Sequence, residues 1–168
     1  PKPEDLYSYG SLCKIQRYRK KDNYIRVGLV GIARAKALNF MMNEGVKSAE
    51  VEVVTDIYED ETLLKELVSK VLMNFEKIKS HVNPAMNVEL FKNLRNGLSA
   101  GELTDYYAQV FLIDYRDKER FLEETNIIER LKMTLEFMKK QIEADPKGKP
   151  PAVLCVLCGM ANAAYQRP

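Results

Sequence analysis

The sequence predicts an α+β fold, because strand patterns fill its first third and helix patterns follow them. Residues 49–55, AEVEVVT, alternate between apolar and polar from Ala49 to Val53 and are the clearest strand pattern of the chain, after the Asn-Glu-Gly turn at 43–45. From residue 61 the apolar residues recur at spacings of three and four, which predicts a helix over 61–80. Strand and helix patterns do not alternate along the chain, so the parallel α/β class is excluded.

A β-hairpin is predicted near the start of the chain. Residues 11–18 and 24–30 have the pattern of strands, and the polar run at 19–23 is typical of the turn that joins them. Gly31 interrupts the second strand and predicts a bulge or bend before residues 32–40.

Capping residues mark the starts of several helices. Asp60 is placed to cap the helix at 61–80, and Ser99 with Glu102 forms a capping box. Asn83-Pro84 predicts that the first helix has ended by that point. Shorter helices are predicted at 88–95, 103–111 and 117–123.

The last predicted helix runs to residue 143 and has the clearest amphipathic pattern. Asn126 and Glu129 have capping-box spacing at its start. Its apolar stripe is Ile128, Leu131, Leu135, Met138 and Ile142, and charged residues are expected on the other faces: Glu129, Arg130, Lys132, Glu136 and Lys139.

Composition excludes several classes of protein. The chain has 168 residues, 46% hydrophobic and 30% charged, which is ordinary for a globular protein. Its net charge of +2 argues against a protein that coats nucleic acid or an anionic membrane. No apolar run approaches the roughly 18–20 residues that span a bilayer, and the first residues lack a signal-peptide pattern, so no membrane partner is expected. Three cysteines favour a reducing compartment over a secreted disulfide framework.

The residues that usually carry chemistry have weak support here. Cys155 and Cys158 have C-x-x-C spacing, but a zinc site needs two more ligands and a redox motif needs a βα junction, so an incidental pair is favoured. A thiol or zinc protein built on them is a weak alternative. His81 lies at the predicted end of a helix, where a solvated histidine is the favoured interpretation. No metal, cofactor or catalytic residue is predicted.

The tip of the predicted hairpin is basic. Arg17, Arg19, Lys20 and Lys21 lie close to the aromatic residues Tyr18 and Tyr24. Cations beside aromatic rings suit phosphates and stacked bases, so a nucleic-acid contact is one interpretation. The alternative, which we favour, is a charged turn that protects the hairpin from pairing with other strands.

Several motifs, in order, resemble those of one family. Residues 5–15 contain Asp-Leu-Tyr and then Gly-Ser-Leu-Cys-Lys-Ile, and residues 27–36 match a Val-Leu-Val-Glu-Gly-x-x-Arg-Ala-Arg motif at Gly31, Arg34 and Ala35. Val30 replaces the acidic residue of that motif, and Gly28 replaces an aliphatic one. Residues 67–76, 99–111 and 123–135 are similar to the family's helices. Residues 4–143 thus resemble the N-terminal region of the ATP-dependent Lon proteases.

The resemblance implies an arrangement of domains. We expect a partial antiparallel β domain of the PUA-like, Lon N-terminal type at 1–58, a helical bundle subdomain at 59–143, and a linker with an atypical apolar tail at 144–168. The family's β domain begins with further strands that this chain lacks. We therefore expect the edge at 11–18 or at 49–55 to be covered by the tail or by a second chain.

The resemblance also implies a function. In the family this region binds unfolded or damaged polypeptides and delivers them to a hexameric ATP-driven unfoldase joined to a serine peptidase, in the bacterial cytoplasm or the mitochondrial matrix. The chain has no phosphate-binding G-x-x-x-x-G-K-[ST] motif and no recognisable Ser–Lys protease site, so we expect no enzyme activity from it. Self-association is expected, as a hexamer in the parent protein and as a dimer for this fragment. The alternative is a stand-alone binding or adaptor domain, with nucleic acid as its ligand.

Candidate substrate-binding residues lie on the hairpin, the strand that follows it, and the aromatic-rich helix. They are Arg17, Tyr18, Tyr24, Leu29, Ile32, Arg34, Tyr106, Tyr107 and Phe111. Exposed aromatic and aliphatic side chains suit a surface that accepts many different unfolded sequences.

Overall fold

The computed structural model describes residues 6–78 and 97–144, and the chain divides into two units. The described part of the sheet unit comprises residues 6–57 and 113–125, and that of the helical unit comprises 58–78, 97–112 and 126–144. The predicted helix at 88–95, the Asn83-Pro84 helix end, His81, and the linker and tail beyond Ala144 lie outside the described residues.

The described strands form one antiparallel sheet in the order β1-β2-β3, and four helices are described, so the α+β prediction is confirmed. The strands are β1 (Tyr9–Lys21), β2 (Tyr24–Asn43) and β3 (Val46–Val54). The helices are α1 (Glu61–Ile78), α2 (Ala100–Phe111), α3 (Tyr115–Glu123) and α4 (Ile127–Ala144). Residues 113–125, which include α3, were predicted with the helical subdomain but cluster with the sheet.

Both connections between the strands are tight turns. The turn between β1 and β2 needs only Asp22 and Asn23, because Lys21 already pairs with Tyr24. In the second turn Glu44 and Gly45 have φ values of 50° and 80°. Positive φ at both central residues defines a type I′ turn, whose twist matches that of the strands on either side.

Extra residues produce bulges in the long strands. In β2, Ile32 is extra between the pairs Leu12–Ala33 and Cys13–Gly31, so the predicted irregularity at Gly31 is a bulge within one continuous strand. Gln16 is extra in β1, and Leu38 is extra in β2 where it pairs with β3. Each bulge bends its strand and increases the local twist.

The predicted caps hold the starts of the helices. The Asp60 carboxylate accepts from the Leu63 N–H at 2.9 Å at the start of α1. Ser99 and Glu102 form the full capping box: Ser99 Oγ accepts from the Glu102 N–H at 3.2 Å, and the Glu102 carboxylate accepts from the Ser99 N–H at 2.8 Å. Asn126 Oδ1 accepts from the Ile128 N–H at 3.0 Å at the start of α4.

Aromatic packing organises the core of the helical unit. The Phe75 ring lies 6.1 Å from the Tyr107 ring and 5.8 Å from the Phe111 ring, and Tyr107 and Phe111 stack at 5.1 Å between centroids. The Phe75–Tyr107 pair is edge-on and the Tyr107–Phe111 pair is stacked, which are the favourable geometries for aromatic rings, and the Phe75–Phe111 pair is tilted. Aliphatic side chains complete the core: Leu67, Val71, Ile78, Leu103, Ile127, Leu131 and Met138.

One charged residue lies inside this core, contrary to the sequence prediction. Arg130 was expected on a solvated face of α4, but its side chain is fully buried. Its Nε donates to Thr104 Oγ1 at 2.8 Å and lies 3.9 Å from the Asp105 carboxylate. A buried guanidinium needs such partners because burying an unpaired charge is very costly. Arg130 therefore joins α4 to α2.

Candidate functional site

The hairpin residues predicted to bind substrate are exposed in the sheet unit. Arg17, Tyr18, Tyr24, Leu29 and Ile32 are all solvent-accessible, and Tyr18 is 72% exposed. They lie on the part of the β1–β2 hairpin that continues past the end of β3, because β3 pairs with β2 only from residue 34 onward.

The pairing register separates the side chains of this hairpin into two chemically different faces. Residues that pair directly across an antiparallel ladder share a face, and neighbours along a strand alternate. One face, which we call the apolar face, contains Ile15, Tyr18, Ile25, Val27 and Leu29. The opposite face, which we call the basic face, contains Lys14, Arg17, Arg19, Lys21 and Arg26, together with the apolar side chains of Tyr24 and Val30. Lys20, paired with Ile25, is the cation of the apolar face.

Contacts on the basic face fit this assignment. The Arg17 side chain lies across Gly28, close enough that a Cβ at Gly28 would come within 2.9 Å of Arg17 Cγ. Lys21 Nζ lies 5.9 Å from the centre of the Tyr24 ring, which is within the range of a cation–π contact. A depression of about 290 Å³ is lined by Arg17, Arg19, Arg26 and Gly28, together with Tyr18 and Val27.

Arg34, another predicted binding residue, makes contacts within the sheet unit instead. Its Nη1 donates to the Glu124 carbonyl at 2.9 Å and lies 3.6 Å from the Asp56 carboxylate, and its side chain is only 8% exposed. Burial raises the pKa of Asp56, and the nearby Arg34 charge opposes that rise. Arg34 thus connects β2 to the end of α3, and we leave it out of the binding surface.

The aromatic residues predicted on the helices lie in a different environment from the hairpin. Tyr107 and Phe111 belong to the core of the helical unit, and Tyr106 is half-buried. The Tyr107 hydroxyl donates to Gln141 Oε1 at 3.2 Å, and burial raises the pKa of Tyr107. Since a buried ring offers no surface to a ligand, Tyr107 and Phe111 are also left out.

Sequence reasoning missed a second concavity of the sheet unit. A shallow depression of about 210 Å³ is lined by apolar atoms of Leu12, Ala35, Ala37, Phe40 and Val51, among others. The register places these five residues on the same side of the sheet as the basic face, nearer to β3. The small residues Gly10, Ala35, Ala37 and Ala49 could have signalled it, because their spacing keeps one side of the sheet open.

Comparison with known proteins identifies the family. The family model described as the ATP-dependent protease La (LON) substrate-binding domain matches residues 1–140 of the sequence. The chain belongs to this family. The Lon proteases of Dictyoglomus thermophilum and Haemophilus influenzae are each 28% identical over 144 residues, and Lon protease 2 of Thermus thermophilus is 28% identical over 145.

These matches cover 84–85% of this chain but only 18% of each Lon protease. This Lon substrate-binding domain therefore spans about a fifth of the length of its curated relatives. Among solved structures, the N-terminal domain of Mycobacterium avium complex Lon protease matches with a TM-score of 0.62 at 19% identity, over 83% of this chain and 74% of that one. That likeness supports the same fold.

Two other kinds of site are absent from the described part of this Lon domain. No group of three or more His, Cys, Asp or Glu side chains within it is placed to hold a metal ion. None of its described helices combines the length and apolar character needed to cross a membrane. Cys13 is a free, exposed thiol, and Cys155 and Cys158 lie outside the described residues.

Proposed function

We propose that this chain is the substrate-recognition and assembly module of an ATP-dependent Lon-type serine protease. In this proposal it binds unfolded or damaged polypeptides and delivers them to ATPase and peptidase parts that lie elsewhere in the parent protein. The chain itself catalyses no reaction and needs no cofactor. The parent protease works in the bacterial cytoplasm or the mitochondrial matrix, and it assembles as a hexamer.

The observation that carries the proposal is the apolar face of the hairpin. Ile25 and Leu29 are each about 60% exposed, and Ile15, Tyr18 and Val27 lie beside them. Burial of apolar surface contributes roughly 25 cal/mol per Å², whatever sequence covers it. A surface of this kind binds many exposed hydrophobic segments weakly, and oligomerisation multiplies such weak contacts into useful avidity.

The test is fluorescence anisotropy with a labelled, permanently unfolded protein titrated with this chain. The titration is done at low and at moderate salt, and the native form of the same protein serves as competitor. We expect saturable binding that survives moderate salt and is not displaced by the native form. Displacement by the native form, or no binding at any concentration that keeps the chain monodisperse, contradicts the proposal.

A second candidate function, nucleic-acid binding, is favoured by the basic face. Between Lys14 and Leu29 the sequence has six basic residues and one acidic residue, Asp22. Binding of this kind releases counterions, so its affinity falls steeply as salt rises. A DNA duplex added to the same titration distinguishes the two functions: displacement of the unfolded protein by DNA at low salt, with binding lost at moderate salt, favours the second.

A further inference from the structure

We propose that β2 takes up unfolded substrates by strand addition, along its outer edge from Tyr24 to Gly31, and that it selects segments whose side chains alternate between acidic and apolar. This inference rests on the proposed function and names the class of polypeptide that this part of the site prefers. It depends on three properties of the hairpin: an available edge, a regular register, and two faces of different chemistry.

The edge is available because β2 is much longer than β3. β3 pairs with β2 from Arg34 to Asn43, so residues 24–33 of β2 have a single paired neighbour, β1, within the described part of the chain. The other side of this stretch presents backbone N–H and C=O groups that an extended peptide can bond. The eight residues from Tyr24 to Gly31 accommodate about eight residues of peptide.

The edge of β2 is also the better of the two edges of this hairpin. β1 is interrupted by the extra residue Gln16 and carries most of the cations, and both features are ways in which proteins block edge pairing. β2 has no extra residue between Tyr24 and Gly31, and Arg26 is its one charged residue there. This stretch of β2 thus has no bulge and carries a single cation, so it is guarded less than β1.

The two faces then set the sequence preference. A strand added to β2 directs alternate side chains to the two faces. On the basic face the central ones lie beside Arg26 and beside Gly28, across which Arg17 lies, so they favour carboxylates; the outer ones lie beside Tyr24 and Val30. Those on the other face lie beside Ile25, Val27 and Leu29 and favour aliphatic or aromatic groups. The chain's own residues 152–168 contain no Asp or Glu, so they lack the complementary charge.

The test compares labelled ten-residue peptides by anisotropy with the full chain. The first alternates Glu with Val and Ile, the second has the same composition with its acids in one block, and the third replaces Glu by Lys. We expect the alternating acidic peptide to bind about tenfold more tightly than either of the others. Equal binding of the alternating and block peptides overturns the inference.

Backbone pairing is tested by N-methylation of the alternating peptide. Only every second N–H of an added strand points toward β2, so methylating one set of alternate residues should abolish binding and methylating the other set should leave it unchanged. Equal losses from the two sets, or no loss from either, contradict strand addition.

Charge recognition is tested by a matched pair of variants. Arg26→Glu should weaken binding of the alternating acidic peptide about tenfold and should strengthen binding of the Lys peptide. Lys20→Glu makes the same charge change on the opposite face of the same hairpin and should have a much smaller effect. Equal effects overturn the charge assignment.

If the unfolded protein binds and no peptide does, the inference fails but the proposed function stands. If neither the unfolded protein nor any peptide binds, the proposed function fails as well.

Discussion

The two units of this Lon domain use similar amounts of apolar sequence in opposite ways. In the helical unit the large apolar side chains of α1, α2 and α4 are buried or half-buried, except Leu72 and Met73, and even Arg130 is enclosed and paired. In the sheet unit the strands leave large apolar side chains exposed, including Ile25, Leu29 and Ile32. A helical core stabilises a fold, whereas an exposed sheet face is available for binding.

Hydrophobicity alone therefore does not separate core from binding surface in this chain. Leu131 in α4 is fully buried, and Leu29 in β2 is 58% exposed, although both lie in regular amphipathic elements. What separates them is whether another element of the same unit covers the stripe. The same substitution should therefore lower stability at Leu131 and weaken binding at Leu29.

The largest expected effect is that of Leu131→Ala, with Leu29→Ala as its matched control. Leu131→Ala should lower the free energy of unfolding by about 3–4 kcal/mol, because it opens a cavity in the helical core. Leu29→Ala should change the free energy of unfolding by less than about 0.5 kcal/mol and should weaken binding of unfolded protein. Urea unfolding followed by circular dichroism measures the first quantity. Similar losses of stability would remove the distinction between the units.

The buried cation gives the next largest effect. Arg130→Ala should cost about 2–3 kcal/mol, because the Thr104 hydroxyl loses its charged donor and the core loses the packed arginine stem. Arg26→Ala, which removes an exposed arginine of the sheet unit, should be nearly neutral. Thermal unfolding of both variants compares them. A neutral Arg130→Ala would show that the α2–α4 connection is dispensable.

A smaller effect is expected from the capping box of α2. Ser99→Ala should lower the free energy of unfolding by about 1 kcal/mol, because the Glu102 N–H loses its acceptor. Asp22→Ala, at the turn of the hairpin, is the control in the sheet unit and should change stability less. Urea unfolding at about pH 7 measures the free energy of unfolding of both variants.

The same box predicts a pH dependence. Hydrogen bonds from Ser99 hold the pKa of Glu102 below its usual value of 4.5. The ionised form is therefore favoured in the folded state, so its stabilisation is complete above pH 4.5 and is lost as pH falls through the folded pKa. Glu102→Gln should reduce the loss of stability between about pH 5 and about pH 3. An unaltered acid transition in that variant contradicts this role.

Local signals in the sequence predicted much of the fold. Asp60, Ser99 and Asn126 each cap the helix that they were expected to cap, because capping depends on a few neighbouring residues. The bulge beside Gly31 was also predicted, since glycine interrupts a strand pattern in place. The bulges at Gln16 and Leu38 were not predicted. Whether either residue is the extra one depends on which residue of the partner strand lies opposite.

The site and the burial of individual side chains were predicted less completely, for reasons visible in α4, in α2 and in the hairpin. Arg130 lies three residues after Ile127 and four before Thr134, and both are buried, so counting the stripe from Ile127 would have placed it inside. Tyr107 and Phe111 lie four and eight residues after the buried Leu103, which is core spacing. The two chemical faces of the hairpin could not be assigned from spacing alone, because the bulges reverse the alternation.

If the apolar face of the hairpin binds unfolded polypeptide, removing its apolar side chains must weaken that binding. The dissociation constant of the labelled unfolded protein is compared for the natural chain and for Ile25→Ser/Leu29→Ser. The control is Ile57→Ser/Ile113→Ser, two exposed residues of the same unit outside the strands. We expect the hairpin variant to bind about tenfold more weakly than the natural chain, and the control variant to bind as tightly as the natural chain. Equal affinity for all three chains would contradict it.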